Sequence, residues 1–380
     1  MKRKNIGEDR QGINMFPALM EKYSNDRLTA REAQRLAEFI AFGPIVFQVS
    51  RLMLKYGIME LLRDNQGGLT IEEIRQKTEL SEYAVTVMME ASLSIGTVIV
   101  ETLTGRFKLT KTGWFLLNDP ATRVNIDFNH DVNYKGWFYL EESLTQGKPM
   151  GLRVFGNWPT IYEGLSQLPE QAKKSWFAFD HFYSDGSFDE ALKIVFSRPV
   201  RTLLDVGGNT GRWAMKCVGY DKNVRVAIID LPAQIDAMKK SIEGKEGCER
   251  IEGISADLLD HTFKIQDDRE WDAIWMSQFL DCFSEEQIVN ILHRIASIMT
   301  EKTNLYIMET FWDRQRFEPA AFCLTQISLY FTAVANGNSK MYHSDVMRGL
   351  VGKAGLEVKE IIDGLGQGHS IMICKKNIRK

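Results

Sequence analysis

The chain lacks an excess of charge of either sign: 47 Lys and Arg stand against 50 Asp and Glu, a formal net charge of -3. That near-balance removes the electrostatic reason to expect nucleic acid or an anionic membrane as a partner. Paired cysteines are lacking too. Cys217, Cys248, Cys282, Cys323 and Cys374 are odd in number, scattered and never spaced C-x-x-C, so neither a disulfide framework nor a zinc site is expected, and a cytoplasmic setting is. No apolar stretch of signal type follows the basic start, and the most apolar early run, Ile40 to Val49, contains Gly43 and Pro44 and is too short to span a bilayer. No tight Asp/Glu/Asn cluster of magnesium-ligand type stands out, so no metal is assigned. The partners left are small molecules and a second copy of the chain.

What is present fits two domains, because 380 residues exceed one ordinary core. The pattern changes character once, giving a helical domain over 1–125 and a second domain over 126–380. In the first, Thr70 and Glu73 are spaced as a capping box, Ser81 can cap a helix running to Ser94, and Val98 to Leu109 alternates around Thr104-Gly105 as a hairpin. Helix, turn, helix and wing make a winged helix. Its second helix carries Val85, Val87, Met88 and Met89 but no Lys or Arg, so a dimerisation role is expected in place of DNA binding. The segment Ala30 to Leu54 is more apolar than one helix face needs, which suits a surface buried by a partner subunit.

The second domain alternates apolar strands and helices, the mark of a largely parallel, doubly wound α/β sheet. Candidate strands are Thr202 to Val206, Val224 to Ile229, Arg250 to Ile254, Ala273 to Ser277, Asn304 to Met308, Leu356 to Ile361 and Ser370 to Lys375. The last two are joined only by the Gly-rich stretch Gly364 to Gly368, too short for a helical crossover, so they form an antiparallel hairpin at the end of the sheet.

After the first of these strands, Asp205-Val206-Gly207-Gly208-Asn209-Thr210-Gly211 runs a strand into a Gly-rich turn and a helix. Glycines admit a ligand close to the backbone, and the helix N-terminus favours a carboxylate. A nicotinamide fingerprint needs glycines at three places where the chain has Gly207, Asn209 and Arg212. It fails at two of them, so the methionine-carrying nucleotide S-adenosylmethionine is preferred. Asp230 ends the second strand, where a carboxylate can accept from both ribose hydroxyls. Asp257, after the third, can accept from an adenine amino group. Each alone could merely cap a turn. In order at successive strand ends, they sit where open α/β sheets bind ligands.

With these motifs the chain resembles the class I O-methyltransferases with an N-terminal winged-helix dimerisation domain, a family of plant caffeate and isoflavone enzymes and bacterial antibiotic-tailoring enzymes. The likeness includes Trp137-x-x-Leu140-x-x-Ser143-x-x-x-Gly147-Lys148-Pro149. It implies a Rossmann-like sheet with an antiparallel end strand, a homodimer interlocked through the N-terminal helices, and cofactor contacts from Gly207 to Gly211, from Asp230 with Leu231, and from Asp257 with Leu258. After the fourth strand the family reads L-K-x-x-x-H-D-W-S-D-E. Here stands Met276-Ser277-Gln278-Phe279-Leu280-Asp281-Cys282-Phe283-Ser284-Glu285-Glu286, so Asp281 replaces the catalytic His and Ser277 the Lys beside the cofactor. Ser284 and Gln287 keep a capping box. Glu309 matches one of the two family glutamates that flank the His, and Ser339 takes the place of the other.

The resemblance implies methyl transfer to a small phenolic acceptor. An unperturbed Asp is a poor base for a phenol of pKa about 10, but burial near Glu309 would raise it. His181 is an alternative base. Methylation at a ring carbon, with Asp281 only orienting the phenol, is a second reading, in line with a similar F-L-D-C-F-S run in bacterial relatives tied to aromatic pigment or polyene pathways. A protein that binds the cofactor without turnover is a third. The acceptor pocket is expected from Trp137, Phe179, Phe182 and Tyr183, and from Phe322, Gln326 and Tyr330 at helical spacing, with Gln278 and Gln326 as polar orienters.

Overall fold

The structure, a computed structural model, describes residues 15–260, 262, 263, 265 and 269–377. It divides into two compact units, one of Asp26–Val132 with Lys174–Phe179, the other of the remaining described residues. The break follows Val132 instead of residue 125, because the helix Pro120–Phe128 serves the first unit. Ile126 joins a core with Met53, Ile58, Met89 and Val98, and the Phe128 ring stacks on Phe179 with centroids 4.0 Å apart.

In the first unit a Thr29–Glu32 capping box opens the helix Ala30–Ala41. The helix Gly43–Lys55 follows with Pro in its first turn, where the missing N–H is harmless, and the pair is bent by 72°. Helix Ala30–Ala41 buries none of its residues, and Leu36, Phe39, Ile40, Phe42 and Ile45 are exposed. By length and composition this bent pair could span a membrane, but among the described residues no single helix is long and apolar enough to do so. The winged helix forms as its signals predict. Thr70 and Glu73 cap Ile71–Gln76 reciprocally, Ser81 caps Glu82–Ile95, and β1 (Val98–Glu101) pairs antiparallel with β2 (Arg106–Leu109). Arg106 ties the wing back, donating to Glu73 and to the Gly68 carbonyl.

The second unit is built on β3 (Thr202–Val206), β4 (Arg225–Asp230), β5 (Ile251–Ser255), β6 (Ala273–Ser277), β7 (Asn304–Glu309), β8 (Leu356–Leu365) and β9 (His369–Lys376). Their order is β5-β4-β3-β6-β7-β9-β8. All pairs are parallel except those of β9, the chain's last strand, which slots antiparallel between β7 and β8. Alternation along the strands sends successive residues to opposite faces. Leu204, Val206, Ile274 and Met276 enter one core, Leu203, Trp275 and Ile228 the other, where Trp275 stacks on Trp213 at 4.1 Å. The order reverses between β3 and β6, and the crevice beyond their carboxyl ends is where such a sheet takes a ligand.

The Trp137 to Pro149 motif has a structural reading. Ser143 Oγ donates to the Tyr139 carbonyl and accepts the Met150 N–H, Gly147 is left-handed at the helix end, and a side chain at Gly337 would strike the Lys148 backbone at 2.4 Å. The Gly337 backbone is pressed against that of Lys148 there, which leaves no room for a side chain at Gly337.

Candidate active site

The turn after β3 is a cradle shaped by what a side chain would hit. Gly207 has φ 76°, and a Cβ there would lie 2.2 Å from the Phe279 ring; at Gly208 it would lie 2.6 Å from Asp205 Oδ2, and at Gly211, φ 78°, 2.9 Å from Met238. Asn209 (φ 48°) and Gln278 (φ 46°) are the non-glycine residues with positive φ among those described, and they follow the two strands that flank the sheet's switch point. Such conformations are costly and collect where function requires them. Asp205 is buried and its Oδ2 has no partner, as is true of Asn209 Oδ1, Ser277 Oγ and Gln278 Oε1. Burial, and then the charge of Asp230, hold the Asp205 carboxyl well above the usual range.

Asp230, at the end of β4, accepts the Asn209 N–H at 2.9 Å on one oxygen and the Leu231 N–H at 2.7 Å on the other. Burial still raises it. It thereby ties the strand end to the glycine turn while each oxygen keeps a further lone pair. Asp257 is exposed and accepts the Leu259 N–H at 2.8 Å, closing a local turn. Leu258 is buried and, with Leu259, Ser284, Gln287 and Arg294, borders a cavity of about 320 Å³ whose lining includes neither Asp281 nor Glu309.

Beyond β6, Gln278 N–H donates to the Met308 carbonyl and the chain enters a short 3-10 turn, Leu280–Cys282. The turn is held from β7: Glu309 Oε1 accepts Phe279 N–H at 3.2 Å and Leu280 N–H at 2.9 Å, leaving Oε2 buried without a partner. Asp281 is buried, with the Cys282 thiol 3.5 Å from its Oδ1. Burial pushes Asp281 up to about 6. Glu309 rises well above the carboxylate range, by burial first and then by the charge of Asp281. Two such carboxyls do not both ionise cheaply, and the proton stays on Glu309. Asn336 Nδ2 closes the turn from outside, donating to the Cys282 carbonyl and to Ser339 Oγ, while Tyr342 donates to the Phe283 carbonyl at 2.6 Å.

His181 and Asp180 are neighbours on the helix Glu170–Ser184, with 3.7 Å between imidazole and carboxylate. Burial first, then Arg212, lower the His181 pKa, whereas burial, then Asp185 and Asp281, raise Asp180 to about 7. Asp180 is thus the member of the pair that feels Asp281, a residue sequence reasoning missed. Tyr162 was missed as well: its hydroxyl is sealed from solvent beside Cys282, and burial, Cys282, Tyr330 and Asp281 hold its proton firmly. Of the expected acceptor residues, Tyr330 is buried near this cluster, Trp137, Phe182 and Tyr183 are partly buried, and Phe182 meets Tyr183 edge to face at 5.2 Å. Phe322 and Gln326 lie on the exposed face of the helix Glu318–Tyr330. Phe179 belongs to the other unit, stacked on Phe128.

The sheet with its antiparallel end strand, the glycine cradle, the carboxylate at the end of β4 and the buried acid pair together have the form of a class I methyltransferase. Comparison with known proteins agrees: residues 34–107 match a Dimerisation2-like domain and residues 137–357 an O-methyltransferase domain. The chain belongs to this O-methyltransferase family and is an S-adenosylmethionine-dependent methyltransferase. It is 22% identical over 305 residues to acetylserotonin O-methyltransferase of Homo sapiens, covering 78% of this chain and 85% of that one. It is 26% identical over 185 residues to norreticuline-7-O-methyltransferase of Papaver somniferum, covering 48% of each. Its fold is shared with the S-adenosylmethionine-dependent methyltransferase SibL at a TM-score of 0.66 and 21% identity, over 89% of this chain and 98% of that one.

Proposed function

We propose that this enzyme methylates the oxygen of a small phenol, with Asp281 as the base, and that it works as a dimer assembled through its N-terminal unit. The observation that carries the reading is the burial of Asp281 at the turn where its family places a His. Raised to about 6, Asp281 comes close to the ordinary range of an imidazole. Against a phenol near 10 the mismatch shrinks from about 6 units to about 4, or from roughly 8 to roughly 5 kcal/mol. The acceptors named for the relatives, acetylserotonin and norreticuline, are phenols.

The residues around the crevice suit S-adenosylmethionine. Asp205, a buried carboxyl with an unpartnered oxygen, suits the ammonium of the methionine moiety, and Gly207, Gly208, Asn209 and Gly211 would admit its backbone-hugging chain. Asp230 and Leu231 would hold the ribose, Asp257 and Leu258 the adenine, and Ser277 with Gln278 the reactive end. When bound, the cofactor supplies an electrophilic methyl on a sulfonium. The chain's own work is to remove one proton and aim one oxygen. Asp281 takes the proton, neutral Glu309 holds the Phe279–Asp281 backbone, and the aromatic side chains Trp137, Phe182, Tyr183 and Tyr330 exclude water. The dimer reading rests on the exposed Leu36, Phe39, Ile40, Phe42 and Ile45 and on the matched dimerisation domain. Incubation with methyl-labelled cofactor and a panel of phenols, with product NMR, tests the reaction. Methyl ethers are expected, and a panel in which only ring carbon or nothing is labelled overturns it.

A further inference from the structure

The mechanism leaves unused a hydroxyl that the fold has gone to some length to fix. Tyr162 stands on the short helix Ile161–Gly164, whose Ile161 is fully buried. The Trp158 indole is clasped against both ends of this segment, since a Cβ on Gly156 would lie 2.4 Å from its ring and one on Gly164 2.3 Å. Close packing of this ring against two glycines helps to fix the position of the helix. The Tyr162 hydroxyl is thereby held against the Cys282 thiol and in the field of Asp281, buried, with no nitrogen or oxygen partner. A buried hydroxyl whose one polar neighbour is a weakly bonding thiol stays costly unless a ligand atom completes it.

We propose that Tyr162 donates a hydrogen bond to the reacting oxygen of the acceptor, opposite Asp281. This rests on the phenol reading above. The acceptor's proton passes to Asp281, the O–C bond forms as the C–S bond breaks, and the electron pair goes to sulfur. Tyr162 keeps its proton throughout and only stabilises the oxygen's developing negative charge. It thus supplies by hydrogen bonding part of what a carboxylate, as the weaker base, lacks. An acceptor without that oxygen leaves the hydroxyl unpaired and is rejected.

The test is Tyr162→Phe, read with phenol acceptors and with 4-nitrophenol, whose ionisation is visible, bound beside S-adenosylhomocysteine. We expect kcat/KM for phenols to fall about 10- to 100-fold and the bound nitrophenol to ionise about one pH unit higher. Cofactor affinity and melting temperature should hold. Wild-type kcat/KM with an unmoved nitrophenol titration overturns the proposal. So does a loss that Cys282→Ala reproduces with the titration unmoved, because Tyr162 would then only pack. If the wild-type enzyme neither methylates phenols nor binds nitrophenol, the acceptor class itself is wrong, an outcome distinct from a silent Tyr162→Phe.

Discussion

Glu309 holds the turn that presents Asp281: one carboxyl oxygen gathers the N–H groups of Phe279 and Leu280 while the other is left buried and bare. If Glu309 is neutral, Glu309→Gln preserves both its charge and its acceptor, and turnover should stay within a few-fold of wild type. Glu309→Ala strands two buried N–H groups, each worth about 1–3 kcal/mol. It should lower both melting temperature and kcat. A Gln variant as damaged as the Ala variant would show that Glu309 works as a charged group.

Asp281 should set the acid limb of the pH–rate profile. The groups facing it are Glu309 from β7, Asp180 from the helix Glu170–Ser184, Tyr162, Cys282 and Tyr342. Activity needs the ionised form, so kcat should rise with pH through about 6 and level off above. Stability runs the other way. A carboxyl raised by folding keeps its proton after the unfolded one has lost it, so its contribution is full below about 4 and fades as pH climbs through about 6. Asp281→Asn should abolish the kinetic limb, lower kcat about 100-fold and flatten the fall in melting temperature across that window. Full turnover in this variant would remove Asp281 from the chemistry.

Gly207 is predicted to tolerate nothing larger. With positive φ and the Phe279 ring where a Cβ would go, Gly207→Ala should disturb both the cradle and the turn bearing Asp281. Calorimetry should find cofactor binding reduced at least tenfold, and Gly207→Ala with Phe279→Leu should recover part of the loss. No recovery would place the damage in backbone strain alone.

Much of this was legible in the sequence, for specific reasons. Capping boxes at Thr70 and Ser284 are local chemistry and formed as spaced. Strand ends showed through the switch from alternating apolar residues to glycine and aspartate, as at Val206 and Asp230. Periodicity could not say which of Asp180 and His181 feels Asp281, because adjacent residues on a helix differ by only about 100° and that helix carries aromatic residues on several sides. Nor could it find Tyr162, whose importance comes from the turn at Cys282, 120 residues away. The exposed Phe322 and Gln326 show the same limit: an i, i+4 spacing names a shared face but not which one is covered.

Asp205 and Asp230 should respond differently to loss of charge. Asp230→Ala removes an acceptor from Asn209 and Leu231. Charge-assisted hydrogen bonds to a ribose, about 1.5–3 kcal/mol each, would go with it, so affinity should fall at least tenfold. Asp205→Asn removes a carboxyl whose burial opposes ionisation. The cofactor-free protein should melt higher while binding weakens, and a variant that loses stability instead would mean that Asp205 has a cationic partner within the fold.

The N-terminal unit carries the last prediction. Leu36, Phe39, Ile40, Phe42 and Ile45 present apolar surface along the bend between the first two helices of that unit. The core of this unit, built from Met53, Ile58 and Met89, does not include those side chains. Charging the patch should therefore separate subunits without unfolding them. Ile40→Glu with Ile45→Glu is expected to shift the protein from dimer to monomer in sedimentation, with far-UV circular dichroism and cofactor affinity retained. Activity will then show whether a partner subunit is needed at the acceptor site. A double variant that sediments as the wild-type dimer would mean that the chain pairs through another surface, and that this one serves a different partner.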